Sequence, residues 1–380
     1  MKMRLRHLHR DERGMTFAFV AVGLMAFLAA STLAVDVGMF MTARSQAQTS
    51  ADAGALAGAV ALAFDDFNNR TPAGPAVQSA IAAALGNQVM RGAVSVEPGD
   101  VTFPAAPNGQ FNRVRVDVYR TGERNNSIGT LIGPIFGVPT VEIIAMATAE
   151  AAPANAMTCV KPFTIPDRWV ENSIPKNNTF DRYDNKGALL PNADVYIEPD
   201  QPGYVGYDSV ADKGTPLMIR AGTGNNIEPS MYWSWKMPGD IGGDFYRENI
   251  ANCNQSVFTY KSPMQPEPGN MSGPTVDGID DLIAKDPNAY WDEDARKVVT
   301  DLHPTPRIFP IPLYDPEYYA SEKANGRNAG LRMANWVGFF VERREGNNVY
   351  GRIAPILGVI DPNAGPAPAG AFPKAIRLVQ

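Results

Sequence analysis

The 380-residue chain is 44% hydrophobic and 19% charged, with a formal net charge of −6, a pI near 5.3 and a mean hydropathy of −0.20. These values exclude a protein built mainly of membrane spans. The acidic balance also argues against a nucleic-acid partner, since binding phosphate backbones needs a cationic face. A chain of this length buries a full core and has room for two globular parts.

The tail 1–14 carries Lys2, Arg4, Arg6, Arg10 and Arg13 against Asp11 and Glu12. Residues 15–35 then hold no charge, and as a helix they rise about 31 Å, the thickness of a bilayer's hydrocarbon core. The basic flank predicts an N-terminus on the cytoplasmic side and the remaining chain outside. A cleaved secretory signal is the alternative, with Ala29-Ala30-Ser31 as a loose cleavage site. The apolar run is longer than a signal needs, so the reading adopted is a single-pass anchor.

Asp36 to Phe64 contains no proline and is rich in Ala, Leu, Met and Gln, which predicts that the helix continues past the membrane. Ser50 to Ala59 is almost entirely small residues. Gly54 and Gly58, costly in a helix and one turn apart, mark a close-packing face with Asp52, Ala53 and Ala57. Asp36 either marks the interface or pairs with a basic group on a neighbouring subunit's helix.

Thr71 to Pro75 breaks the helix, and a second is expected over 76–90. Strands are expected at 93–97, 111–120 and 141–151, with Val114, Val116 and Val118 alternating against Arg113, Arg115 and Asp117. Residues 36–152 therefore read as a pilin-like long helix plus small sheet. From 153 to 380 Trp, Tyr, Pro, Asn and Asp rise. Short strands at 194–198, 216–220 and 306–313, some confined to edges by proline, a helix at 276–285 and a hairpin at 336–353 predict a β-rich domain. The fold class is α+β: a transmembrane helix running into a pilin-like α+β region, then a β-rich globular domain.

Cys159 and Cys253 both fall outside the membrane, where an even count predicts a disulfide. Chemistry is sparse. His7 and His9 lie in the tail, His303 reads as a surface residue, and no Walker loop, dinucleotide fingerprint or zinc spacing occurs. Residues 222–226 read as a plain turn. Asp277, Asp280 and Asp281 lack calcium-loop spacing, and Asp292, Glu293 and Asp294 read as a solvated helix face. No catalytic residue, metal or cofactor is expected. Tyr232, Trp233 and Trp235 are candidates for a partner- or sugar-binding platform, against the alternative that they form the domain core.

The Arg13-Gly14-Met15 start, the apolar run, Leu33 to Gly38 and Ser50 to Ala59 together resemble the TadE/TadG-like Flp (Tad) pilus-assembly family, most nearly TadG. Residues 269–275 and 305–312 look similar to later regions of TadG-related proteins. The resemblance implies a non-enzymatic component of a Tad/Flp pilus apparatus in a bacterial inner membrane, its bulk periplasmic. Its implied partners are other pilus-assembly or pseudopilin subunits, with self-association a further option. Two departures stand out. Phe19 occupies the position where processed pseudopilins carry Glu, which argues against prepilin-peptidase cleavage, and the Asp-x-Ser-x-Ser metal motif of many TadG proteins is missing. The competing class is a tethered envelope adhesin or binding module; an envelope hydrolase is a third.

Overall fold

The computed structural model describes residues 13–107, 109–184, 186–221, 226–269, 271–322 and 330–379. The basic tail with His7 and His9, the turn at 222–225 and Asn270 lie outside the described residues. The chain divides into two units: residues 1–59, 70–149 and 378–380 in one, and 60–69 with 150–377 in the other.

The first unit is built on α1 (Arg13–Phe64), one unbroken helix of 52 residues whose last five belong to the second unit. Its N-terminal half is apolar on every side. From Ala43 onward a stripe of small residues (Ala43, Ala47, Ser50, Ala51, Ala55, Ala59) is fully buried at the three- and four-residue spacing of one helix face. That face packs on α2 (Pro75–Leu85) and on a sheet whose strands are β1 (Val101–Thr102), β2 (Arg113–Arg120) and β3 (Ile143–Pro153). Strands β1 and β2 are antiparallel, with Val101 opposite Val116. Val114, Val116 and Val118 are buried, as their alternation predicts. The second helix is shorter than expected. It stops at Leu85, before Gly86, and Gln88–Val89 folds back on Gly92–Ala93, with the Met90 amide donating to Gln46 Oε1 at 2.8 Å.

The second unit is a closed six-stranded sheet. Its strands are β4 (Phe163–Pro166), β5 (Pro216–Ala221), β6 (Met231–Ser234), β7 (Ile308–Tyr314), β8 (Leu331–Glu345) and β9 (Asn348–Ile353). The order is β8-β7-β4-β6-β5-β9, and β9 pairs back onto β8 to close it. Closure removes both edges. Helices α3 (Gly243–Ala251) and α4 (Ser272–Lys285) pack on each other, and α4 also touches β8.

Three expectations are corrected here. Pro310 and Pro312 do not put β7 at an edge: it lies between β8 and β4. Their carbonyls face the 161–164 segment, accepting from the Lys161 amide at 3.2 Å and the Thr164 hydroxyl at 2.8 Å. The missing N–H groups fall on that same side, so the ladder to β8 is intact. Residues 194–198 form only a single bridge, Val195 to Val170, beside which the Asp194 carboxylate accepts from the backbone amides of Asn172, Ser173 and Asp181. Asp292, Glu293 and Asp294 are not on a helix. They turn a hairpin between Tyr290–Asp292 and Lys297–Val299.

Cys159 and Cys253 are joined by a disulfide across 94 positions of sequence, wholly inside the second unit.

Candidate functional site

Two regions hold the candidate residues: the long helix and a cleft in the barrel unit. Along α1 the side chains from Met15 to Ser31 and from Leu33 to Val35 are open to the surroundings, with Phe17, Phe19 and Met25 each more than 70% exposed. Among the described residues this is the one helix long and apolar enough to cross a membrane.

Asp36 closes this stretch. Among the described residues its carboxylate meets no basic side chain. It accepts from the backbone amides of Leu131 at 2.9 Å and Ile132 at 3.0 Å, and it is 5% exposed. Asp52 acts at second hand: it accepts from Gln48 Nε2 at 2.8 Å, while the same amide group donates to the Met146 carbonyl of β3 at 2.9 Å. Ser50 donates to the Ala84 carbonyl of α2 at 2.8 Å.

Gly54 and Gly58 face inward. A β-carbon at Gly54 would lie 3.0 Å from the Ala80 carbonyl oxygen and 3.1 Å from Ala84 Cβ. At Gly58 it would lie 2.8 Å from Val114 Cγ1 and 3.1 Å from Ala80 Cβ. The close-packing face is thus occupied by this chain's own α2 and β2, not left for a helix of another subunit. Ala53 and Ala57 are half-buried beside it.

In the barrel unit, Tyr232, Trp233 and Trp235 are 3%, 5% and 2% exposed. They are core, and the platform reading is corrected. Strand β6 runs between β4 and β5 with all four residues buried. Trp235 packs edge-on to Phe258 and donates its indole N–H to the Lys161 carbonyl at 3.0 Å. Of the carboxylates, Asp281 pairs with Arg247 at 2.7 Å and Asp280 with Arg344 at 2.8 Å.

A cleft of about 420 Å³ is lined by Tyr196, Glu198, Tyr260, Lys261, Asp315 and Arg332, among others. Its charges are closed on one another: Lys261 bridges Glu198 at 2.8 Å and Asp200 at 3.0 Å, and Arg332 pairs with Glu198 at 2.7 Å and with Asp315. Beneath it Asp167 accepts from the hydroxyls of Tyr196 at 3.0 Å and Tyr204 at 2.9 Å, and Asn335 donates to Tyr204 at 2.8 Å. Burial pushes the Asp167 carboxyl up to about 7 against those hydrogen bonds. Sequence reasoning missed this cluster, because its members are scattered from Asp167 to Asn335 without a motif.

These features define a protein with one long N-terminal helix, apolar enough in its first half to cross a membrane, an α+β unit and a closed β-barrel. Residues 14–61 match the Tad family, described as Flp pilus-assembly TadE/G-like. The matched segment is α1 almost to its end, and it supports a Tad/Flp pilus component. No curated protein and no solved structure matches the chain.

Proposed function

We propose that the chain is a non-enzymatic, single-pass component of a Tad/Flp pilus assembly apparatus, with its N-terminus in the cytoplasm and everything beyond the span in the periplasm. The observation that carries this reading is the division of labour along α1. Its second half is locked to the chain's own α2 and β2 by Ala, Gly and Ser, while its first half offers apolar side chains on all sides. The family match covers both halves. Lipid and the spans of other pilus-assembly subunits then share the Met15–Val35 surface, and the barrel makes the periplasmic contacts. A helix that packs among other spans does so by van der Waals fit and not by burial from water, so small and medium apolar residues suffice.

The test is photocrosslinking in the native bacterium from a diazirine amino acid at Phe19 or Leu24, with a second probe at Val205 of the barrel unit. Pilus-machinery proteins captured from the span support the reading. Capture of lipid alone at both span positions, with pili unaffected by loss of the protein, would move the protein to the tethered binding-module class. That second reading draws on the barrel cleft.

A further inference from the structure

We propose that the loop 130–139 is a membrane-interface wedge, dipping its apolar tip into the headgroup–acyl boundary beside the helix anchor. The proposal rests on the anchor reading of α1 and goes beyond it, by adding a second membrane contact from the same unit.

The loop leaves and re-enters a short ladder in which Ile128 pairs with Val141 and Gly129 with Thr140. From Asn125 to Val141 no residue carries a charge. Its tip turns Leu131, Ile135 and Val138 outward at 65%, 79% and 49% exposure. Three large aliphatic side chains on one uncharged loop are costly to leave in water.

Two observations say what covers them. The first is position. The amides of Leu131 and Ile132 both donate to Asp36, the residue that ends the uncharged run, so the tip is tied to a known level of the helix. Beyond Asp36 the next charge on α1 is Arg44. With Asp36 satisfied by backbone amides, the stretch from Met15 to Ala43 rises about 42 Å, the span of the hydrocarbon core plus both headgroup layers. On that span the hydrocarbon ends about 36 Å along, so Asp36, about 32 Å along, lies just inside the boundary with the headgroups.

The second observation is backbone satisfaction. Apolar surroundings demand that main-chain donors find partners inside the chain. Here the Thr130 amide donates to the Pro139 carbonyl at 3.0 Å, Ile135 to Ile132 at 2.9 Å, Gly137 to Pro134 at 3.3 Å and Val138 to Gly133 at 2.8 Å. The Thr130 hydroxyl donates to the Val138 carbonyl at 2.7 Å. Gly133 permits the fold-back, since a β-carbon there would stand on the Val138 carbonyl and the Thr130 hydroxyl. The loop turns polar groups in and apolar groups out, the reverse of an ordinary surface loop.

The test uses the oxidised full chain in phosphatidylethanolamine/phosphatidylglycerol vesicles, with one added cysteine carrying an environment-sensitive fluorophore. Ile135→Cys reports the loop and Leu24→Cys the span. Ala73→Cys is the aqueous reference, because it precedes the α2 turn that meets Gly58, about 33 Å past Asp36 along the helix. The expected result is iodide quenching at Ile135 several-fold weaker than at Ala73. Strong quenching there by lipids with a shallow nitroxide should accompany it, with Leu24 quenched best by a deep one. A loop label as open to iodide as Ala73, with Leu24 shielded, overturns the wedge and leaves the anchor standing. Shielding from iodide without nitroxide quenching assigns the loop to a protein partner and overturns it too. A Leu24 label open to iodide fells the anchor and the wedge together.

Discussion

Gly58 and Val114 approach so closely that a β-carbon on the glycine would stand 2.8 Å from the valine's Cγ1. With Gly54 against Val116, where the same atom would stand at 3.3 Å, this approach lets the helix lie close on the sheet. Gly58→Val is expected to force them apart at a cost of roughly 1–3 kcal/mol, more than the few tenths of a kcal/mol that valine returns over glycine in helix propensity. Amide hydrogen exchange over 76–84 should quicken in this variant. Gly38→Ala, with nothing within 4 Å, should leave it unchanged.

The disulfide offers a separate lever on the barrel unit. Closing a loop of 94 positions stabilises by about 4–5 kcal/mol on the chain-entropy view, and losing native bridges costs roughly 2–5 kcal/mol. Cys159→Ser with Cys253→Ser should lower the urea midpoint. The five tryptophans all fall between Trp169 and Trp336, inside this unit, so intrinsic fluorescence reads its unfolding directly.

Because Trp233 and Trp235 are core, truncating either to Ala should destabilise the unit by about 3–5 kcal/mol. A variant that keeps full stability and loses binding to a sugar or partner would restore the platform reading.

Asp167 gives the unit a pH dependence of its own. Its folded carboxyl sits near 7, above the ordinary 3.8, so the native state holds a proton that the unfolded chain has released. The contribution is complete below the ordinary value and is lost as pH rises through about 7. Lys161, lowered to about 7 by burial and by the charge of Lys285, acts in the window above that and in the opposite sense. Wild type should therefore lose stability between about pH 4 and about pH 7, and Asp167→Asn should flatten that slope. Denaturation midpoints across that range, read in both proteins, check it.

How far the sequence reaches can be judged residue by residue. The long helix is legible because twenty-odd uncharged positions, then proline-free small residues, admit no other structure. Val114, Val116 and Val118 announce β2 because one face of that sheet stays polar. The barrel is not legible. Phe163–Pro166 and Met231–Ser234 are buried at every position and show no alternation, and Pro310 and Pro312 disguise a central strand. Gly54 and Gly58 signal close packing, but period and size cannot say whether the neighbour is the same chain or another. Asp36 is similar: its partners are two backbone amides nearly a hundred positions away, and backbone donors leave no mark in a sequence.

The central claim is an assembly role in the Tad/Flp pilus, and pilus number per cell by electron microscopy tests it most directly. The gene would be deleted and then restored in trans. Bald or sparsely piliated cells, recovering with the restored gene, are predicted. Cells with normal pili after clean deletion would contradict the claim.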